Sequence, residues 1–337
     1  MPSSPSPELS IKYKHLQLSL RSRITLFFMR VVGKPLLSRM MRGSVRKISN
    51  FQVLAASMEA PKHGINIEYQ ILGRSPGHTL GDIKQTDQPI IFWLHGGAFI
   101  MPAAPNAHLD TAARLCKKLG IPAFVPDYRL APMHRFPAAL DDCEEAYMEL
   151  LSRGFAPERI ALIGDSAGGN LLFGLLQRLR KRGVEAPACG IPVSPVTELS
   201  RIHGLPSRGR LRKGDVLLPI SAFSSLGEAY IGEHDASDPE MSPLFMDCQG
   251  LPPLQFFVSD NEVLMDDGLY MARRCHEAGV DTECHLWPSL PHAFPLFHNM
   301  FPEVADAHDE MAGFISRHIA TKTEATSDTA ADAASVA

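Results

Sequence analysis

The residues best placed to do chemistry begin with one serine. In "LIGDSAGGNLLFGLL" (162–176), Gly164-Asp165-Ser166-Ala167-Gly168 spells G-x-S-x-G between an apolar run and a helical pattern. That context suits a nucleophile on a tight strand-to-helix turn. Flanking glycines allow the turn and a close backbone approach. A helix N-terminus at Ser166 favours developing negative charge. The pentapeptide alone is weak, since a serine after a strand also serves as an N-cap. Two further motifs add weight. His95-Gly96-Gly97-Ala98-Phe99 follows an apolar run upstream, where small residues free backbone N–H groups to reach a carbonyl oxygen. His292, in "SLPHAFPLF", lies downstream, in the chain order serine, acid, histidine. A histidine there can take the serine proton and pass it to a leaving group. Acid candidates cluster in "VSDNEVLMDDG": Asp260, Glu262, Asp266 and Asp267, the last two equally suited to the first turn of the next helix.

These residues need a scaffold that gathers them on one rim. "IIFWL", "IPAFVPDYRL", "RIALIGDS", "ACGIPVSP", "LQFFVSD" and "DTECHLWP" read as buried strands. Helical patterns alternate with them: "NAHLDTAARLCKKLG", "ALDDCEEAYMELLSRG", "AGGNLLFGLLQRLRKRG", "DDGLYMARRCHEAG" and "PEVADAHDEMAGFISRHIA". This order predicts an α/β fold with a mostly parallel sheet covered on both faces. "INIEYQIL" alternates as a half-buried strand does, and "SPGHTLGDIKQTDQ" reads as loop. Residues 197–240 break the rhythm and read as an insertion over one end of the sheet. Residues 1–10 and 321–337 read as a disordered start and tail.

From Ile11 to Arg42 apolar and basic residues mix at helical spacing, and Gly33 and Pro35 predict a break into two helices. No acidic residue falls between Glu8 and Glu59, while ten lysines and arginines do. Two readings follow. One is the outer face of helices that cover a site, with Phe27, Phe28, Met29, Met40 and Met41 lining an acyl pocket. The other is peripheral contact with anionic lipid. The net charge of −4 and the lack of an aromatic platform speak against nucleic acid. The one apolar run near the start, "ITLFFM", is too short to span a membrane. Six cysteines without C-x-x-C spacing read as free thiols of a cytoplasmic, reducing compartment.

Taken together, "HGGAF", "PDYRLAP" with "RFPAALDD", "GDSAGGN", "VLMDDGLYMARR" and "PHAF" resemble the hormone-sensitive-lipase-like carboxylesterases of the α/β-hydrolase superfamily. The resemblance covers roughly residues 65–319. It implies a catalytic domain over 61–196 and 241–320, with a helical cap from residues 11–60 and 197–240. Aligned on Gly268, the family's acid falls on Glu262, with Asp260 as the alternative if the loop is shifted. Asp266 matches a loop-supporting position. Ala98 stands for the family's third glycine and Met133 for a glutamate after Ala-Pro. The resemblance implies a Ser166–His292–Glu262 triad and an oxyanion hole from Gly96, Gly97, Ala98 and Ala167. It also implies a small-molecule ester substrate of short to medium chain, no cofactor, and pairing of two copies as an open option. The alternatives are a non-catalytic binding protein on the same fold and an interfacial lipase.

Overall fold

The computed structural model describes residues 9–41, 63–201, 204–220 and 227–334. Residues 1–8 of the expected start, 42–60 of the expected cap and 221–226 of the insertion lie outside the described residues.

Among the described residues nine strands form one sheet: β1 (Ile11–Tyr13), β2 (Ile67–Leu72), β3 (Ser75–Leu80), β4 (Ile90–Leu94), β5 (Ala123–Pro126), β6 (Ile160–Asp165), β7 (Cys189–Val193), β8 (Leu254–Ser259) and β9 (Thr282–Trp287). Their order is β1-β9-β8-β7-β6-β4-β5-β3-β2, and only β3 runs against the others. The helices are α1 (Leu20–Phe28), α2 (Lys34–Met41), α3 (Asp110–Leu119), α4 (Ala138–Ser152), α5 (Ala167–Lys181), α6 (Pro206–Arg210), α7 (Met265–Glu277) and α8 (Ala305–Ala334).

The continuous apolar runs are buried because both sheet faces are covered. Phe92 and Leu94 of β4 join a core with Leu140 and Tyr147 of α4, Phe173 of α5 and Met271 of α7. Their neighbours Ile91 and Trp93 point the other way, into a second core with Leu115 of α3 and Phe314 of α8. Alternation along one strand thus feeds two layers. A left-handed Gly120 ends α3 where its sequence pattern stops.

Four expectations on the chain change. "SPGHTL" is strand β3 rather than loop, paired with both β2 and β5. Its Ser75, Gly77, Thr79 and Leu80 are buried, and a side chain at Gly77 would strike the Phe124 ring. Pairing and burial override low strand propensity there. Ile11–Tyr13 is an edge strand on β9, not helix, held in part by a Lys12–Glu283 ion pair. The helix starts at Leu20, where Ser19 caps the Ser22 N–H. Gly33 and Pro35 do not break it: a π-helical stretch, Met29–Gly33, joins α1 to α2. A widened turn there absorbs the missing N–H and the ring of Pro35. Finally, α8 runs past Thr321 to Ala334, over most of the expected disordered tail. Alanine-rich sequence extends an already nucleated helix at little cost.

The expected acyl-pocket residues of the N-terminal element also divide. Phe27 and Phe28 are 60% and 57% exposed, while Met29 is buried. The side chains of Met40 and Met41 lie outside what is described.

Candidate active site

Ser166 sits between β6 and α5 with φ 53° and ψ −114°, a conformation that non-glycine residues rarely hold. Its neighbours explain how the turn fits. A side chain at Gly164 would overlap the Gly168 carbonyl oxygen, and one at Gly168 would overlap that of Leu94. Gly164 is therefore required by the return of α5 over its own strand, and Gly168 by the close packing of the elbow on β4. The Ser166 N–H donates to Val193 O at 2.8 Å, and Val196 N–H donates to Ser166 O at 3.2 Å. The elbow is thus pinned to the end of β7 on both sides.

Asp165 links the elbow to the His-Gly-Gly loop. It is buried, accepts the Trp93 indole N–H at 2.9 Å and faces His108 Nε2 at 3.2 Å. His108 Nδ1 accepts the Ala104 N–H, so its Nε2 carries the proton given to Asp165. Burial works against the Asp165 charge, yet His108 and then Trp93 hold the carboxyl below its ordinary value. A side chain at Gly96 would overlap this carboxylate, which makes glycine obligatory there.

The loop after β4 is a chain of unusual backbone: Gly97 at φ 118°, Ala98 at 57° and Phe99 at 60°. The Ile100 and Met101 N–H groups close it on Gly97 O at 3.0 and 2.8 Å. Among the described residues no acceptor takes the N–H of Gly97, Ala98 or Ala167. These donors remain available to a ligand. Burial pushes His95 down to about 3, so it is neutral, with Nδ1 donating to Gly96 O at 2.7 Å. Tyr128 of "PDYRLAP" stacks on the His95 ring at 4.1 Å and donates to His95 O at 2.6 Å. Ala131 N–H bonds Phe99 O, and Phe99 lies flat on buried Tyr230 of the insertion at 3.8 Å. Met133 is 70% exposed beside this turn.

The structure brings Glu262 and His292 together. Glu262 Oε2 lies 2.5 Å from His292 Nδ1, and both side chains are buried. Glu262 Oε1 accepts the Ser259 N–H at 2.8 Å and the Ser194 hydroxyl at 2.9 Å. His292 Nε2 is buried with no partner among the described residues. Burial disfavours the imidazolium, but the Glu262 hydrogen bond and charge, with Asp215 and Asp165 beyond, raise His292 above its ordinary value. Asp260 does not join them: it is exposed and accepts the Ser289 N–H. Asp266 accepts the Ser207 N–H, and Asp267 pairs with buried Arg208, so both fasten the insertion to α7.

Two supporting residues escaped the sequence reading. Ser194, at φ 44°, donates to Glu262 and accepts the Ala293 N–H, tying acid loop to histidine loop. Only the dipeptide Ser-Pro after a strand marked it. Asp215, in a basic stretch, accepts the N–H groups of Leu217, Leu218 and Val263. Ser166, Glu262 and His292 follow β6, β8 and β9, so all three stand at the C-terminal edge of one parallel sheet, where open α/β sheets place their ligands.

Comparison with known proteins identifies the fold that carries this arrangement. Residues 91–296 match a family model described as the α/β-hydrolase fold. The carboxylesterase/phospholipase LipF of Mycobacterium tuberculosis is 36% identical over 234 residues, 67% of this chain and 61% of LipF. The chain therefore spans less than two thirds of that relative. The esterase LipU of the same organism is 36% identical over 231 residues, 67% of this chain and 76% of LipU. The crystal structure of an esterase from the bacterial hormone-sensitive lipase family superposes with a TM-score of 0.79 at 28% identity, covering 90% of this chain and all of that one. With the elbow, the glycine loop and the acid–histidine pair in family order on that shared sheet, the chain belongs to the α/β-hydrolase fold family, in its hormone-sensitive-lipase-like branch.

Proposed function

We propose that the protein hydrolyses short- to medium-chain carboxylic esters through an acyl-enzyme on Ser166. The observation that carries this reading is the buried, unpartnered His292 Nε2, whose opposite nitrogen is held by Glu262. Glu262 fixes the tautomer with the proton on Nδ1, leaving Nε2 basic. His292 takes the Ser166 proton as Oγ attacks the ester carbonyl. The N–H groups of Gly97, Ala98 and Ala167 receive the oxyanion, with Gly96 shaping the turn. One such donor is worth about 3 kcal/mol in the transition state. His292 then protonates the departing alcohol and activates the water that releases the acid. Relatives named carboxylesterase, esterase and acetyl-hydrolase support the same chemistry.

The insertion and α1–α2 form the cap in this reading. The insertion touches the rim at Phe99 through Tyr230 and at Val263 through Asp215. α1–α2 grips the insertion through Arg30 and Lys34. Six buried free thiols suit a reducing, cytoplasmic setting. A homodimer would pair along edge strand β2, where Tyr69 and Ile71 are exposed; sedimentation velocity reads this directly.

The test is hydrolysis of p-nitrophenyl esters of rising chain length by wild type and Ser166→Ala. Wild-type turnover should fall at least about 10⁴-fold in the variant with melting unchanged. Turnover retained by the variant rejects Ser166 as nucleophile. A folded wild type inert on every ester favours the binding-protein reading.

A further inference from the structure

The N-terminal helical element has one face that stays exposed among the described residues. Its inner side is fastened: Ser22 is fully buried and bonds the Glu303 carboxylate, and Met29 is buried. Its outer side carries Leu20, Ile24, Phe27, Phe28, Val31 and Leu36, all exposed. Spacings of three and four put the first five on one helical stripe. Of the thirteen exposed large apolar side chains among the described residues, seven lie between Leu20 and Leu36. Scattered exposed apolar residues are ordinary, whereas a contiguous patch marks an interaction surface.

The charges around this stripe select the partner. Arg21, Arg23, Arg30, Lys34 and Arg39 lie on the same element, and the chain holds no carboxylate between Glu8 and Glu59. The hydrogen bonds of Arg21, Arg30 and Lys34 go to backbone carbonyls, of Asn299, Gly214, Arg212 and Asp215. Among the described residues such bonds leave the charges of Arg21 and Arg30 without a carboxylate, whereas half-buried Lys34 faces the Asp215 carboxylate. Arg23 and Arg39 are exposed. A second copy of the chain fits poorly, because a two-fold contact would press like charges together. An apolar stripe between cations instead matches a helix lying in the headgroup region of an anionic membrane.

We infer that the outer face of α1–α2 docks the protein on an anionic lipid bilayer, its phenylalanines among the acyl chains and its arginines among the headgroups. The inference stands apart from the esterase reading. It bears on it through one connection: Lys34 bonds Asp215 O, and the Asp215 carboxylate holds the Val263 N–H beside Glu262. The docked element is therefore joined to the acid loop.

The experiment is co-sedimentation of the full chain with vesicles of phosphatidylcholine alone and of phosphatidylcholine mixed with phosphatidylglycerol, at low and high salt. Binding should require the anionic lipid and weaken with salt. Phe27→Ser/Phe28→Ser should abolish it, and Arg23→Gln/Arg39→Gln should weaken it about thirty-fold. Both variants should melt like wild type. Their melting reports folding even if no ester is a substrate. Equal binding to both vesicle types, or binding unchanged in both variants, overturns the inference. So does a concentration-dependent dimer, with no vesicle binding, that Phe27→Ser/Phe28→Ser converts to monomer.

Discussion

At the scale of single residues the acid is the sharpest question, because two carboxylates two positions apart have opposite surroundings. Glu262 is buried against His292, while Asp260 is exposed and occupied with the Ser289 N–H. Glu262→Gln keeps the shape but reverses the preferred tautomer, so kcat should fall about 10³- to 10⁴-fold. Asp260→Asn should leave kcat near wild type; the reverse ranking in ester kinetics would move the acid. The pH profile adds a sign. Burial lowers the affinity of His292 for its proton, but Glu262 more than restores it, so His292 stands above its ordinary 6.5. In the proposed reaction His292 accepts the serine proton only when neutral, so kcat/KM should rise with pH along a limb above that value. In Glu262→Gln the limb should shift to lower pH. Ser166, His292 and the glycine loop were legible because chemistry restricts their types and spacing. Ser194 was not, since its role depends on a positive φ and on two loops distant in sequence.

At the scale of elements, the insertion is fastened by a buried ion pair. Arg208 lies fully buried, with Nε and Nη2 on the two Asp267 oxygens at 3.1 and 2.6 Å, and also bonds the Glu198 and Arg201 carbonyls. Removing one partner strands a buried charge. Arg208→Gln should therefore cost about 3–5 kcal/mol in denaturant unfolding, and Arg208→Met/Asp267→Leu should recover part of it, since the buried Glu198 carboxylate 3.6 Å from Arg208 and the Thr197 N–H on Asp267 still lose their partners. Equal loss in both variants would mean that the carbonyl bonds, rather than the pair, hold the insertion. In the sequence Arg208 was one cation in a basic, glycine-rich run, and nothing local separated it from solvated neighbours. The same limit explains β3 and β1. Their strand character comes from partners far away in the chain, whereas β4, β6 and β8 announce themselves by continuous apolar runs. The α1–α2 junction was misread for another reason: Pro35 does weaken the α-helical ladder, but a π turn absorbs the conflict without ending the helix.

At the scale of the whole molecule, covering both sheet faces buries histidines as well as apolar residues, and this sets how the protein meets acid. Burial is the first cause lowering His95 to about 3 and His308 to about 4, from an ordinary 6.5. Each takes up its proton more readily when unfolded. Their contribution is fully present above the unfolded value and is lost as pH falls from 6.5 towards 4 and 3. The loss reaches about 1.4 kcal/mol per pH unit for each group. His292 acts in the opposite sense: its raised value adds stability as pH falls towards 6.5, and below 6.5 that contribution is fully present and no longer changes. Burial lowers His78 and His298 as well, so one raised group does not offset four lowered ones, and the histidines together destabilise the fold in mild acid. Carboxylates add a second, lower step: charged and hydrogen-bonded neighbours overcome burial to hold Glu283 at about 2 against an ordinary 4.5, so its contribution is lost only between those values. Urea midpoints measured at constant slope between about pH 6.5 and 4.5 isolate the histidine step. His308→Gln can still donate to Pro295 O, the bond His308 Nε2 makes, but takes up no proton. It should flatten the pH dependence by about one group's worth. An unchanged slope in that variant would place the acid sensitivity elsewhere.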